Sequence, residues 1–247
     1  MFAPKKLLDI ILPPLCIPCK KEGSFICANC RLGIFTNKYF ICPICQRRDV
    51  YGRLDKKCRK ETGLTRFLGA PLLYSDQRVR KIIHAFKYQR VKALAEPLAE
   101  ILIEFLNVTN KGEDLFRSTQ GVDKSRKRSS PLFVPIPMIG FKERERGFNQ
   151  ATEIAKPLAK YYGLELNTKL LKKIKNTSNQ ADIKDKEDRM KNIENAFRYV
   201  DPDVASRRDK MIILVDDVYT TGATMRDCAR ALRAAGVREV WGMTVAR

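Results

Sequence analysis

Histidine and tryptophan each occur once, as His84 and Trp241, in a chain of 247 residues. The histidine falls in a stretch of helical spacing beside Lys87 and Tyr88 and reads as packing rather than as a base. Long apolar runs are missing as well. No stretch approaches the ~18 consecutive apolar residues of a membrane-crossing helix, so no membrane insertion is expected. No export signal is convincing either: Lys5-Lys6 followed by Leu7, Leu8, Ile10, Ile11 and Leu12 imitates a signal start, but Asp9 and Pro13-Pro14 break it and no small-residue cleavage site follows. The chain therefore reads as cytoplasmic, where paired cysteines are metal ligands more often than disulfides. Neither GxxxxGK[ST] nor GxGxxG occurs, which excludes a P-loop and a dinucleotide fingerprint. There are no internal repeats.

Acidic residues are scarce: 28 against 48 basic ones give a formal net charge of +20. The excess is densest at the start, where residues 1–60 hold 13 Lys and Arg against 4 acids, a net +9. Such a charge points to a polyanionic partner, nucleic acid or an acidic surface, unless it reflects a lysine-rich host background.

Seven of the eight cysteines lie within the first 58 residues. Cys16, Cys19, Cys27 and Cys30 form two CxxC knuckles, each able to place two thiolates on one metal, so that the pair completes a tetrahedron. Four thiolates with no spare position mean structural zinc rather than catalysis. Cys42-Pro43-Ile44-Cys45 is a third half-site whose only further cysteine is Cys58. Glu61 stands where a fourth would complete Cys58-x2-Cys, which leaves either a second zinc with mixed ligands or an incomplete site. Cys228, far along the chain, reads as packing.

Residues 1–15 read as a short amphipathic helix stopped by Pro13-Pro14, and residues 16–60 lack the periodicity of a core. A metal staple is expected there. From Gly63 onward, elements alternate: a strand at 70–74, helices at 79–86 and 94–105, a strand at 132–137, helices at 149–162 and 224–235, and strands at 211–216 and 239–246. Residues 107–130 are polar and include Lys124-Ser125-Arg126-Lys127-Arg128, a flexible basic loop. Alternating strands and helices imply a largely parallel sheet with both faces covered.

The most informative segment runs from Met211 to Thr224, MIILVDDVYTTGAT. An apolar strand empties into Asp216 and Asp217, acceptors suited to a vicinal diol such as the ribose hydroxyls. The backbone of Val218, Tyr219, Thr220, Thr221, Gly222, Ala223 and Thr224, the threonine hydroxyls and the positive end of the next helix suit a phosphate. Gly222 lets the backbone close on the anion.

This segment resembles the phosphoribosyl-pyrophosphate (PRPP) loop of the type I phosphoribosyltransferases. Joined to the cysteine module, and with Val134-Pro135-Ile136-Pro137, Arg144-Glu145-Arg146-Gly147-Phe148-Asn149-Gln150-Ala151 and Gln180 through Arg189, Asn192 and Ala196-Phe197, the whole pattern resembles the bacterial ComF family. The resemblance implies an α/β type I phosphoribosyltransferase fold, a mostly parallel sheet with flanking helices over 63–247, with a hood at about 63–106. It implies a small N-terminal zinc module over 1–62. It implies PRPP with Mg²⁺ as ligand, Asp216, Asp217 and Arg189 as catalytic residues, and Pro135, Ile136 and Pro137 turning the chain at the pyrophosphate, with Arg144, Arg146 and Arg189 as its counter-charges. Glu61 departs from the family's fuller cysteine complement. The transferase half also looks like that of glutamine–PRPP amidotransferase, but Phe2 stands where that enzyme needs a cysteine nucleophile, so ammonia release from glutamine is not expected.

Three functions follow. The first is DNA uptake in natural competence, with single-stranded DNA handled beside a ComFA-like helicase-type ATPase. The second is a phosphoribosyltransferase of nucleotide metabolism, and the third a PRPP-sensing regulator without turnover. Residues 63–106 carry no recognisable base-reading motif.

Overall fold

Residues 211–215 are apolar at every position, as a strand covered on both faces must be. The computed structural model describes residues 13–34, 38–108, 131–175, 195–201 and 210–247. The N-terminal part holds helix α1 (Ala28–Ile34), a hairpin of β1 (Phe40–Ile41) and β2 (Arg48–Asp49), and helix α2 (Lys56–Thr62). There follow β3 (Arg66–Phe67), α3 (Gln77–Tyr88), α4 (Ala95–Val108), β4 (Leu132–Pro135), α5 (Gly140–Arg146), α6 (Gln150–Tyr162) and β5 (Glu165–Leu166). A short antiparallel pair, β6 (Leu171–Lys173) and β7 (Phe197–Tyr199), precedes β8 (Met211–Val218), α7 (Ala223–Ala234) and β9 (Glu239–Ala246).

The central sheet is wholly parallel, in the order β3-β9-β8-β4-β5. Register aligns Leu132 with Ile212, Val134 with Leu214, Ile213 with Trp241 and Val215 with Met243. The strand period of two then divides the core. Ile213, Val215, Phe133 and Met243 join the apolar faces of α3, α4 and α6, while Ile212, Leu214, Leu132 and Val134 join α7. The fold is the expected α/β one, helices on both faces of a mostly parallel sheet. Among the described residues no helix is long and apolar enough to cross a membrane.

The cysteine-rich segment contributes to both halves of this core. Ile26, Ile34 and Phe40 pack into the first cluster, and Cys42, Leu54 and Cys58 into the second. Phe40 meets Phe105 of α4 edge-on, with centroids 5.3 Å apart, and the Arg31 guanidinium pairs with Glu100 and Glu104 at 2.8 Å each.

Local signals set the element ends. Asn149 caps α6 by accepting from the Ala151 and Thr152 N–H groups, and its Nδ2 donates to the Ile136 carbonyl, which ties α6 to the chain after β4. Gly163 closes α6 in the left-handed region at φ 62°. On α7, buried Asp227 accepts from the backbone N–H groups of Asn195 (3.1 Å), Ala196 (2.8 Å) and Phe197 (3.0 Å) and pairs with Arg230.

Several expectations need correction. The strand placed at 70–74 is instead β3 at 66–67. Beyond it the Leu68 N–H still donates to the Gly242 carbonyl, Leu72 bridges to Ala246, and Pro71 has no N–H to extend a continuous ladder. Helix α4 runs on through Asn107 and Val108, residues assigned to the basic loop. His84 is exposed, not packed inside, its ring tilted against Tyr88 at 5.0 Å. The amphipathic helix expected before Pro13, residues 109–130, and Arg189 with most of its segment lie outside the described residues.

Candidate functional site

Asp216 and Asp217 sit near the end of β8, held by the ladder to β9. The Asp217 N–H donates to Asp216 Oδ1 at 2.9 Å. Asp217 is buried, and its Oδ1 lies 3.0 Å from Nζ of Lys87 on α3. Burial first, and the neighbouring Asp217 charge second, push the Asp216 carboxyl up to about 7. Burial works against the Lys87 charge, but the two carboxylates outweigh it and raise its pKa.

The following loop divides its labour. The Tyr219 N–H donates to the Ala246 carbonyl, and its ring turns into the core edge-on to Phe67, so Tyr219 offers the loop its backbone rather than its hydroxyl. Thr220 is exposed, and Thr221 Oγ1 accepts from the Ala223 N–H. Gly222, at φ 74°, opens α7.

These groups edge a cleft of about 370 Å³. Of the residues expected to bind the ligand, Asp216, Asp217, Val218, Tyr219, Thr220, Gly222, Ala223, Thr224, Ile136, Pro137 and Arg146 line it. Pro135, Thr221 and Arg144 do not. Pro135 is locked inside β4, and α5 explains the arginines: Lys142 and Arg146, four apart, share the face toward the cleft, which turns Arg144 away.

Sequence reasoning missed Lys87, Tyr88, Lys142, Lys173 and Gln150 as cleft residues. Lys87 had a signal. It falls one turn after buried Ile83, at the end of the apolar stripe of α3, where a lysine is out of place unless paired. Lys173 projects from β6 over the Phe197 ring, and burial, followed by the Lys142 charge, pushes its pKa down to about 8. Arg146 lies over the Tyr88 ring and donates to Gln150 Oε1 at 3.3 Å, while Gln150 Nε2 is buried without a hydrogen-bond partner. The cleft thus has two carboxylates at one edge and a cationic wall from α5 and β6, the arrangement for a sugar diol that carries phosphates.

In the N-terminal segment, the sulfurs of Cys16, Cys19, Cys27 and Cys30 all lie within 4.8 Å of one another. The Cys27 N–H points at Cys16 Sγ from 3.4 Å, and the Cys30 backbone N–H is the main reason that the Cys27 thiol is pulled down to about 7. Four sulfurs so gathered fit a structural metal such as zinc. Cys42, Cys45 and Cys58 are gathered within the same distance, with Asp55 Oδ2 3.8 Å from Cys45 Sγ, while Glu61 is exposed on α2 and outside that cluster.

Of the aromatics interleaved with the N-terminal charges, Phe40 is in the core and Phe35 lies outside the described residues. Tyr39 is half exposed beneath Arg48 at 5.1 Å, and Tyr51 lies under Arg53 at 4.6 Å.

Comparison with known proteins agrees with this geometry. Residues 146–247 match the family model described as the phosphoribosyl transferase domain. Competence protein F of Haemophilus influenzae is 27% identical over 233 residues, covering 89% of this chain and 96% of that protein. Competence protein ComFC of Bacillus subtilis is 29% identical over 219 residues, covering 87% and 81%. The DNA utilization protein YhgH of Escherichia coli K12 is 26% identical over 235 residues, covering 87% and 95%. A phosphoribosyltransferase domain behind paired cysteine clusters, matched nearly end to end by these proteins, supports reading the chain as a ComF-family, phosphoribosyltransferase-like protein.

Proposed function

We propose that the cleft binds PRPP with Mg²⁺, and that the chain serves DNA uptake in natural competence by handling single-stranded DNA in the cytoplasm. The observation that carries the first half is the placement of Asp216 and Asp217 on β8 directly before the Gly222 opening of α7, facing one cleft with Lys142, Arg146 and Lys173. In this reading Asp216 and Asp217 accept the ribose hydroxyls. The backbone from Val218 to Thr224 receives a phosphate at the positive end of α7. Ile136, Pro137 and Arg146 attend the pyrophosphate, and Tyr88 and Lys87 roof the sugar. Mg²⁺ brought in with the ligand would supply positive charge against that of the pyrophosphate. Asp216 and Asp217 hold the ribose while positive character grows at its anomeric carbon, so positioning and electrostatics do the work.

The second half draws on relatives named for competence and DNA utilization, and on the +20 charge. A ComFA-like helicase-type ATPase is the partner this role calls for. Structural zinc on Cys16, Cys19, Cys27 and Cys30 holds the N-terminal segment.

Calorimetry with PRPP, with and without Mg²⁺, tests the cleft. Wild-type protein should bind, and Asp216→Ala with Asp217→Ala should weaken binding by about 2–4 kcal/mol, because charge-assisted hydrogen bonds contribute about 1.5–3 kcal/mol each and do not add fully. Unchanged affinity in that variant would refute the assignment. Release of pyrophosphate with candidate acceptors separates a transferase from a PRPP sensor.

A further inference from the structure

Lys87 ends the apolar stripe of α3, and its side chain enters the cleft so that Nζ lies 3.0 Å from Asp217 Oδ1. The side chains are 21% and 6% exposed, so the contact is shielded from the screening that makes surface ion pairs weak. An apolar residue would complete that stripe at lower desolvation cost. The lysine is thus a charge placed against the acid pair.

The cations around the pair differ in position. Arg146 acts on Asp216 from a distance while it stacks over Tyr88 and bonds Gln150. Lys142 and Lys173 belong to the wall formed by α5 and β6. Lys87 comes to contact. Adjacent carboxylates in a groove otherwise attract a bare divalent cation, which would sit about 2 Å from their oxygens. An ammonium already 3.0 Å from one of them occupies that approach and repels the incoming charge.

We propose that Lys87 is a built-in counter-ion that keeps a divalent cation off Asp216 and Asp217 unless a phosphorylated ligand carries the cation in. The proposal deepens the PRPP reading, on which its purpose rests, by making the metal–diphosphate complex the species the cleft accepts. Lys87 acts here as a positioning and selectivity residue and takes no part in bond making.

The test uses Mn²⁺ alone as probe, its free concentration read by electron paramagnetic resonance, on full-length zinc-loaded protein. The proteins compared are wild type, Asp217→Asn, Lys87→Met, Lys87→Arg, and Lys87→Met combined with Asp217→Asn. Lys87→Gln replaces the methionine variant should that one not fold. Wild type and Lys87→Arg should show no Mn²⁺ binding that depends on Asp217. Lys87→Met should bind at least about tenfold more tightly, a difference of about 1.4 kcal/mol, and lose that gain in the double variant. Wild-type Mn²⁺ binding that Asp217→Asn abolishes would overturn the proposal without any Lys87 variant. So would a Lys87→Met protein indistinguishable from wild type, or a gain that survives Asp217→Asn. Calorimetry with PRPP and Mg²⁺ on the same wild-type protein keeps the questions apart: no heat there refutes the PRPP reading, while the Mn²⁺ titrations still report on Lys87.

Discussion

The Tyr219 hydroxyl occupies the space into which any side chain at Gly222 would project. Two residues of one loop are therefore interlocked, the ring packed below on Phe67 and the backbone above turned to φ 74°. Gly222→Ala should cost about 2–4 kcal/mol, from overpacking plus a Cβ in the left-handed region, and should weaken PRPP binding with it. Tyr219→Leu in the same chain should recover part of the stability loss. Urea denaturation of the two single variants and the double variant measures that coupling, and strict additivity would show that the two positions do not interfere.

Asp216 makes stability depend on pH in a definite direction. Its carboxyl titrates near 7 in the fold against 3.8 as its ordinary value, so the folded state holds the proton more tightly than the unfolded chain. Its contribution is therefore full below about pH 4, is lost as pH rises toward 7, and is level above. Asp216→Asn should be more stable than wild type at pH 8, and the difference should vanish at pH 4. Ligand binding should run the other way, PRPP affinity rising to about pH 7 as the carboxylate forms. Denaturation and calorimetry at matched pH values check both slopes.

Zinc loss should be felt beyond the cysteines. Thiolate ligation supplies folding energy to a segment poor in apolar residues, yet Ile34 and Phe40 of that segment lie in the core of the transferase-like fold. Chelation, or Cys16→Ser with Cys27→Ser, should release bound zinc and raise hydrogen exchange in α4, where Phe105, Glu100 and Glu104 lose their partners. Phe40→Ala should destabilise by about 3–5 kcal/mol. Arg31→Ala should cost about 1 kcal/mol or less, because its glutamate partners are exposed. Equal effects of these two substitutions would mean that the contact is not the apolar one described.

Single-stranded DNA should bind with micromolar affinity, little sequence preference and a steep loss with salt. Tyr39 and Tyr51, each beneath an arginine, are placed to stack on bases at about 1–3 kcal/mol each. Fluorescence anisotropy across a salt series, on wild type, on Tyr39→Ala and on Arg48→Ser with Arg53→Ser, separates stacking from general attraction. An identical affinity and salt slope would move the DNA surface elsewhere.

How far the sequence could be read depended on whether a residue's neighbours lie close in the chain. Strand β9, helix α6 with its Gly163 stop, and the acids on β8 follow from local apolar pattern and glycine chemistry, and they form as expected, while the cap at Asn149 is seen only in the structure. Helix α5 buries none of its residues, so it leaves no apolar period to read. The facing of Arg146 rather than Arg144 depends on that helix. Phe40, set among basic residues, looks like a candidate for stacking on bases until Phe105, far along the chain, covers it. Lys87 is legible as an anomaly, but its partner is fixed only when α3 packs across the sheet from β8.

Asp227 never touches the cleft, yet it binds three successive N–H groups of the chain that returns at Asn195, Ala196 and Phe197. Helix α7, which opens at Gly222, and strand β7, which carries Phe197 to the cleft, are in effect riveted together. The excursion between Lys173 and Phe197 therefore leaves from and returns to the rim of the ligand cleft, whatever its own course. An Asp227 variant that loses ligand would mimic a damaged binding residue, while its actual fault would be a rim no longer held in register with the loop beneath it.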